Sequence, residues 1–304
     1  MKNPTLKRSL LGLASLATLV AAYSVVSNAE RFVDPARLPQ AVRDVLRPEV
    51  IPPTQSIVEA LAALVTGPRS DATSELHAHA GHHHHSDSDH VGVLLQQGVT
   101  LQQSLLITIG RVLFGLVVGA PLGILLGFFM GWNRRADDYV HPLYVLLRSV
   151  PPLALITYIM LWLGHSEAHR LIPIVYAVAA TLVIPAYHGV RDVAATYVVA
   201  ARALGARGRL LFTKVLLPAV SPDLLAGLRY ALAIAWMTAV GSEMLMAENG
   251  MGNLIVGGGM WASRLQTRSD PAVVMVGIMA IAAAGWAMDA GAKVLTTRLT
   301  AWIR

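Results

Sequence analysis

Cysteine is absent from the chain. That excludes a disulfide framework, a thiol nucleophile and any zinc site built on thiolates, and it leaves the redox compartment unmarked. Charge is scarce as well: 14% of the 304 residues are Asp, Glu, Lys or Arg, where soluble chains average about 25%. The sequence has no G-x-x-x-x-G-K-[ST], so the chain has no phosphate-binding loop of its own. It also lacks G-x-S-x-G, H-E-x-x-H and C-x-x-C. An energy source must therefore be an ion gradient or another subunit, and nothing points to an enzyme. What is present is apolar: 55% of residues are hydrophobic, with a mean hydropathy of +0.55. This composition belongs to an all-α membrane protein with several spans. The net charge is +6, but the arginines cluster beside apolar runs, as membrane topology requires, and form no continuous stripe for nucleic acid.

Residues 1–29 place Lys2, Lys7 and Arg8 before an apolar run from Leu10 to Val26. They read as a first transmembrane helix, or as a signal-like segment cleaved after Ala29. Residues 30–100 form an outer, periplasmic segment. Within it, residues 56–65 have helical periodicity, with Ser56 as N-cap, and are too short to span. Residues 77–90 (HAHAGHHHHSDSDH) are low in complexity and read as a disordered insertion. Its imidazoles His77, His79, His82, His83, His84, His85 and His90 could chelate zinc, nickel or copper without a fold; otherwise the tract is a solvated loop.

From Leu101 the pattern is transmembrane, and residues 101–304 form a five-helix core. The spans are residues 105–130, 139–164, 171–187, 224–246 and 272–290, making six with the first helix and five without it. Gly115, Gly119, Gly123 and Gly127 form a stripe at a spacing of four, where another helix can approach closely. The second span is interrupted by Arg148, Ser149, Val150, Pro151 and Pro152; two prolines remove two backbone donors and break a helix. With the N-terminus inside, counting lysine and arginine in the short segments puts Lys2, Lys7, Arg8, Arg134, Arg135, Arg191, Arg202, Arg207, Arg209, Lys214, Lys293, Arg298 and Arg304 on one side. Only Arg170, Arg264 and Arg268 fall on the other. The positive-inside rule then makes residues 189–222 and the C-terminus cytoplasmic.

Ionisable residues within spans are functional candidates by default. Arg111, near the outer end of its helix, reads as a residue that snorkels to the interface. Arg148, beside the paired prolines, reads as lining a pathway, since non-helical backbone at that depth must be buried in protein or border a cavity. Glu243 stands nearly alone, about 21 Å along the axis from Arg229. His141 and His188 read as interfacial polar residues.

The cytoplasmic stretch 199–218, VAARALGARGRLLFTKVLLP, resembles the EAA loop of ABC-importer permeases. Ala200, Ala201, Arg202, Gly205, Val215, Leu217 and Pro218 fall in that loop's register, and Val199 stands where the family usually has Glu. Further stretches resemble the nitrate/sulfonate/taurine group: RSVPPLAL from Arg148, GLRYALAIAW from Gly227, EML from Glu243 and GMGNLI from Gly250. The resemblance covers residues 51–304, with the histidine tract as an insertion. It implies the type I ABC-importer permease fold and a homodimer of permeases in the inner membrane. Two ATP-binding subunits, holding ATP and Mg, would dock on the loop from inside. A periplasmic binding protein would deliver a small solute, an organic or inorganic anion such as a sulfonate, taurine or nitrate. No cofactor would be bound by this chain. Arg148, Pro151, Pro152, Tyr230, Trp236 and Glu243 are then the candidates for the pathway or gate. Two other readings stay open: an ABC permease for a metal or metal chelate using the histidine tract, and an ion-coupled secondary transporter. The latter calls for an embedded carboxylate network and inverted repeats.

Overall fold

The computed structural model describes residues 18, 21–27, 52, 54–66, 100–164, 166–193, 195–245, 249–256 and 271–300. Among them every regular element is a helix. The chain divides into two compact units, Met1–Gln102 with Leu254–Met279, and Gln103–Asn253 with Ala280–Arg304.

In the first unit, α1 (Thr54–Thr66) buries Ala60 and Leu64 and leaves Val58, Leu61 and Val65 exposed. It starts two residues before the expected cap, so Ser56 lies inside the helix. Residues 21–27 are helical, and the Tyr23 hydroxyl donates to the carbonyl of Pro52 at 2.8 Å. The rest of the N-terminal run and the whole histidine tract fall outside the described residues.

The second unit holds most of the core. Its elements are α2 (Leu101–Trp132), α3 (Arg134–Arg148), α4 (Pro152–Leu163), α5 (Glu167–Asp192), α6 (Ala195–Ala203) and α7 (Leu217–Met244). The short α8 (Met251–Val256) and the long α9 (Pro271–Leu299) complete the chain order. Length and composition allow Leu101–Trp132, Glu167–Asp192, Phe212–Met244 and Pro271–Leu299 to cross a membrane. The pair α3 and α4, bent by 88°, adds a fifth if it is one broken span.

The glycine stripe explains how α2 meets α5. A Cβ built on Gly119 would lie 2.7 Å from the carbonyl oxygen of Val175. One on Gly127 would lie 2.5 Å from that of Val183, and one on Gly131 2.9 Å from that of Tyr187. The stripe therefore continues one step further than expected, and the two helices run parallel in register along it. Lipid tails are as apolar as leucine, so such close backbone packing is what holds helices together in a bilayer. Around it, Val112, Ile174, Val178, Leu182, Ala231, Ala235, Trp236 and Ala239 form the main apolar cluster. The expected span at residues 224–246 begins earlier than its composition suggested, because helix runs unbroken from Arg209 through Phe212–Leu216 into α7.

Candidate functional site

Three places in the second unit concentrate polar chemistry. The first is the break between α3 and α4. Pro151 has no N–H, so the carbonyl of Leu147 loses its helical partner. It accepts instead from the N–H of Val150, at 3.0 Å, and from the hydroxyl of Tyr176 on α5. The same hydroxyl lies 3.3 Å from the carbonyl of Val150. The break is thus satisfied from a neighbouring helix. It opens a cleft of about 790 Å³ lined by residues of α3, α4, α5 and α7. Arg148, Val150 and Pro152 line it from the break, Tyr176, Thr181, His188 and Asp192 from α5, and Asp223, Gly227 and Tyr230 from α7. Gly227 lets α7 approach α5, since a Cβ there would lie 2.6 Å from the Pro185 ring. Arg148 sits at the level of Tyr176, whereas Asp192 is sixteen residues further along α5, about 24 Å at a helical rise. The cation and the carboxylates of the cleft therefore lie far apart.

Of the six residues expected along the pathway, Arg148, Pro152 and Tyr230 line this cleft. Pro151 forms the break beside it. Trp236 is buried in the apolar cluster, its indole N–H without a hydrogen-bond acceptor among the described residues. Glu243 lies in the second place, at the opposite end of α7.

There the expectation for Arg111 fails. Its side chain is 5% exposed and points inward, so it does not snorkel. Arg111 Nη1 donates to Glu243 Oε1 at 2.8 Å and to the Asn249 carbonyl at 3.2 Å. Its Nε and Nη2 grip Glu167 at 3.1 and 2.8 Å, and Nη2 also reaches Asn249 Oδ1 at 2.5 Å. Glu243, 1% exposed, is not alone. Thr108 donates to it, 2.8 Å from Oε2, and the Gly252 N–H donates to Oε2 at 3.0 Å. Arg170 completes a neutral set of two arginines and two glutamates by pairing with Glu167 at 2.5 Å. The GMG sequence follows from this packing. Gly250 has φ +105, and a Cβ on it would lie 2.6 Å from both carboxylate oxygens of Glu243. A Cβ on Gly252 would lie 2.6 Å from the Cβ of Glu243. Another ion pair within the helices, Arg229 with Asp289 on α9, is bidentate, Nε to Oδ1 at 3.0 Å and Nη2 to Oδ2 at 2.7 Å.

The third place is the stretch 199–218. Helix α6 ends in a Schellman turn: the N–H of Ala206 bonds the Ala201 carbonyl at 2.9 Å, and the N–H of Gly205 bonds that of Arg202 at 3.0 Å. Gly205 has φ +86, a conformation that only glycine adopts freely, so the turn needs it. After Gly208 (φ +50) the chain re-enters helix at Arg209–Leu211 and widens into a π-helical turn, Phe212–Leu216. Pro218 causes the widening, because it cannot donate to Lys214 and its ring would press on that carbonyl. The N–H of Leu217 bonds the Phe212 carbonyl instead. Phe212 stacks edge-on against Phe128 of α2 at 5.4 Å, which ties the second limb to the core. The turn itself is bare: Leu204 is 89% exposed, and Tyr197, Val199 and Leu210 are exposed too. Ala200, Ala201 and Arg202 share α6, and Val215, Leu217 and Pro218 fall on the anchored second limb. The two groups meet across Gly205.

Residues 119–301 match the family described as the binding-protein-dependent transport system inner membrane component. The chain belongs to this family. A probable ABC transporter permease protein of Brucella abortus (strain 2308) is 35% identical over 63% of this chain and 74% of its own length. The taurine transport system permease protein of Escherichia coli (strain K12) is 32% identical over 67% and 71%. The putative aliphatic sulfonates transport permease protein of Bacillus subtilis (strain 168) is 31% identical over 64% and 68%. The fold resembles that of a chain of the MetNI methionine ABC transporter in its inward-facing conformations. That likeness has a TM-score of 0.55 and 16% identity, and covers 71% of this chain and all of the other. The protein is an all-α, multi-pass inner-membrane permease of the ABC importer type and not an enzyme. Such permeases work with ATP-binding subunits and a solute-binding protein. Among the described residues no group of His, Asp and Glu could hold a metal ion, and the histidine tract lies outside them.

The residues that sequence reasoning missed are Tyr176, Thr108, Glu167 and Asp289. Each acts through a partner at least 26 positions away, which periodicity cannot reveal.

Proposed function

We propose that this permease forms the pathway for a small organic anion of the sulfonate class, delivered by a periplasmic binding protein. Two copies of the chain work with two ATP-binding subunits, which hold ATP and Mg. The stretch 199–218 faces the cytoplasm, as does the C-terminus, and is the docking surface for those subunits. Exposed apolar side chains around a glycine turn, on a loop that leaves the bilayer, fit a partner's cleft better than they fit water. Motion at this loop rocks the spans around the cleft and exposes it to either side in turn.

The observation behind the solute reading is Arg148, held at a helix break in a cleft that also presents the Tyr230 and Thr181 side chains. A guanidinium with neutral hydroxyl neighbours suits a sulfonate, whose oxygens accept several hydrogen bonds at once. The named relatives for taurine and aliphatic sulfonates agree with it.

The test is uptake of labelled taurine into proteoliposomes holding the permease, its ATP-binding subunits and its binding protein. Losing one charge-assisted contact, worth about 1.5–3 kcal/mol, should lower uptake by Arg148→Gln about tenfold or more. Arg148→Lys should retain part of it. Uptake by Arg148→Gln at the parental rate, or no taurine uptake by the parent, would sink the solute reading.

A further inference from the structure

We propose that Asp137, Tyr144, Tyr176 and Tyr187 are positioning residues that make α3, with Arg148 at its end, move as one body with α5 and the coupling loop. The proposal rests on the reading that residues 199–218 dock on the ATP-binding subunits.

Apart from a small apolar cluster in which Val140 and Tyr144 meet Met130, Val183 and Tyr187, and its junction with α2 at the Asn133 cap, helix α3 has few constraints among the described residues. The 88° break separates it from α4, and its apolar residues Leu143, Val145, Leu146 and Leu147 are exposed. In a bilayer those side chains gain little by choosing a helix over lipid, so polar contacts and close packing must fix the helix. Helix α5 supplies three such contacts, one at each level. At the end near the loop, the Tyr187 hydroxyl donates to Asp137 Oδ2 at 2.9 Å. Arg191 Nη1 lies 2.9 Å from the same oxygen and also donates to the Tyr187 hydroxyl. In the middle, the Tyr144 hydroxyl donates to the Ala180 carbonyl at 2.7 Å. At the far end, the Tyr176 hydroxyl holds the carbonyls of Leu147 and Val150.

The spacing is that of two antiparallel helices in register. Positions 137 and 144 on α3 are two turns apart, and so are 187 and 180 on α5. Each contact fixes register in a way that apolar ridges, which can slide over one another, do not. The geometry then links two sites the fold keeps apart. Helix α5 ends at Asp192 and α6 begins at Ala195, so a push on α6 reaches the last two turns of α5, where Tyr187 and Arg191 sit. Asp137 passes it to α3, and eleven residues on, about 16 Å away, is Arg148. The cleft's arginine is thus tied to the loop by a strut pinned at three levels.

The absence of cysteine makes the test clean, because Val150→Cys becomes the permease's sole thiol, and Val150 lines the cleft. The readout is its labelling rate by a small maleimide in the assembled transporter, with no nucleotide and after trapping with ATP and vanadate. In the parent the two rates should differ by about fivefold or more, the low end of allosteric coupling. With Tyr187→Phe or Asp137→Leu the difference should shrink to less than about twofold, although the permease still co-purifies with its ATP-binding subunits. Asp137→Asn keeps an acceptor for Tyr187 and should restore the response. Tyr176→Phe, at the other end of the strut, provides an independent variant should one of the first two fail to assemble. A full response in Tyr187→Phe and Asp137→Leu, with Leu204→Asp abolishing it, would overturn the strut and leave the docking reading intact. No nucleotide response in the parent, or a full response in Leu204→Asp, would remove the docking reading itself.

Discussion

Replacing Glu243 by alanine is expected to prevent most of the permease from accumulating in folded form. Arg111 is buried and gives Glu243 a donor at 2.8 Å, while Thr108 and the Gly252 N–H point at the same carboxylate. Removing that carboxylate leaves a cation and two donors without their acceptor and opens a space under Gly250 and Gly252. Breaking a buried ion pair in this way costs about 3–5 kcal/mol, a large part of the 5–15 kcal/mol that holds a typical protein folded. Glu167 and Asn249 keep the arginine's other four hydrogen bonds, so the outcome is a sharp fall in thermal stability rather than misinsertion. Arg111→Met should do equal damage for the mirror-image reason, leaving the Glu243 carboxylate without its cation. The pair replaced together, Arg111→Met with Glu243→Leu, should recover much of the loss, because neither charge is then stranded. Fluorescence-detected size exclusion after heating measures all three. A double variant as unstable as the sum of the singles would show that the two residues act independently.

Gly205→Val is expected to abolish ATP-driven uptake while leaving the permease in the membrane. Gly205 has φ +86, and forcing a β-branched residue there costs about 1–3 kcal/mol. That cost falls on the Schellman turn, so the angle between α6 and the second limb changes before anything else does. The core is spared, since a Cβ at Gly205 meets nothing within 4 Å. Uptake in proteoliposomes should fall at least about tenfold, as for a lost coupling of 1–3 kcal/mol, with expression and thermal stability near parental. Gly208 is an internal control. Its φ of +50 lies in the left-handed well that asparagine tolerates, so Gly208→Asn should transport at close to the parental rate.

Features that depend on local sequence were legible before any coordinates. A four-residue glycine spacing dictates a close helix contact, and α5 occupies it along the stripe from Gly115 to Gly131. Two adjacent prolines dictate a broken helix, and the break falls at Pro151. The tight turn at Gly205 was legible for the same reason, since a positive-φ glycine is a local requirement. Pairings across the fold were not. Arg111 looked like an interfacial arginine because nothing within a few turns of it carries a negative charge, yet its partner lies 132 positions away. Arg229 finds Asp289 sixty positions on. The start of α7 was misjudged because Lys214 and Pro218 lower the hydropathy of a stretch that the π-helical turn keeps helical. Trp236 and Glu243 stand among the pathway candidates through the family resemblance of the stretches GLRYALAIAW and EML. Neither lines the cleft, and the two lie seven residues apart, in an apolar cluster and an ion-pair network respectively.

Docking of residues 199–218 on an ATP-binding subunit should be captured by cross-linking from Leu204. Leu204 is 89% exposed, and Leu204→Cys would be the chain's only thiol. The thiol is loaded with a benzophenone maleimide in inverted vesicles containing the assembled transporter, which are then irradiated. The expected result is an adduct of permease with ATP-binding subunit, and a thiol closed to impermeant reagents applied outside intact spheroplasts. An adduct with the solute-binding protein, or labelling of Leu204→Cys from the outer face, would contradict it.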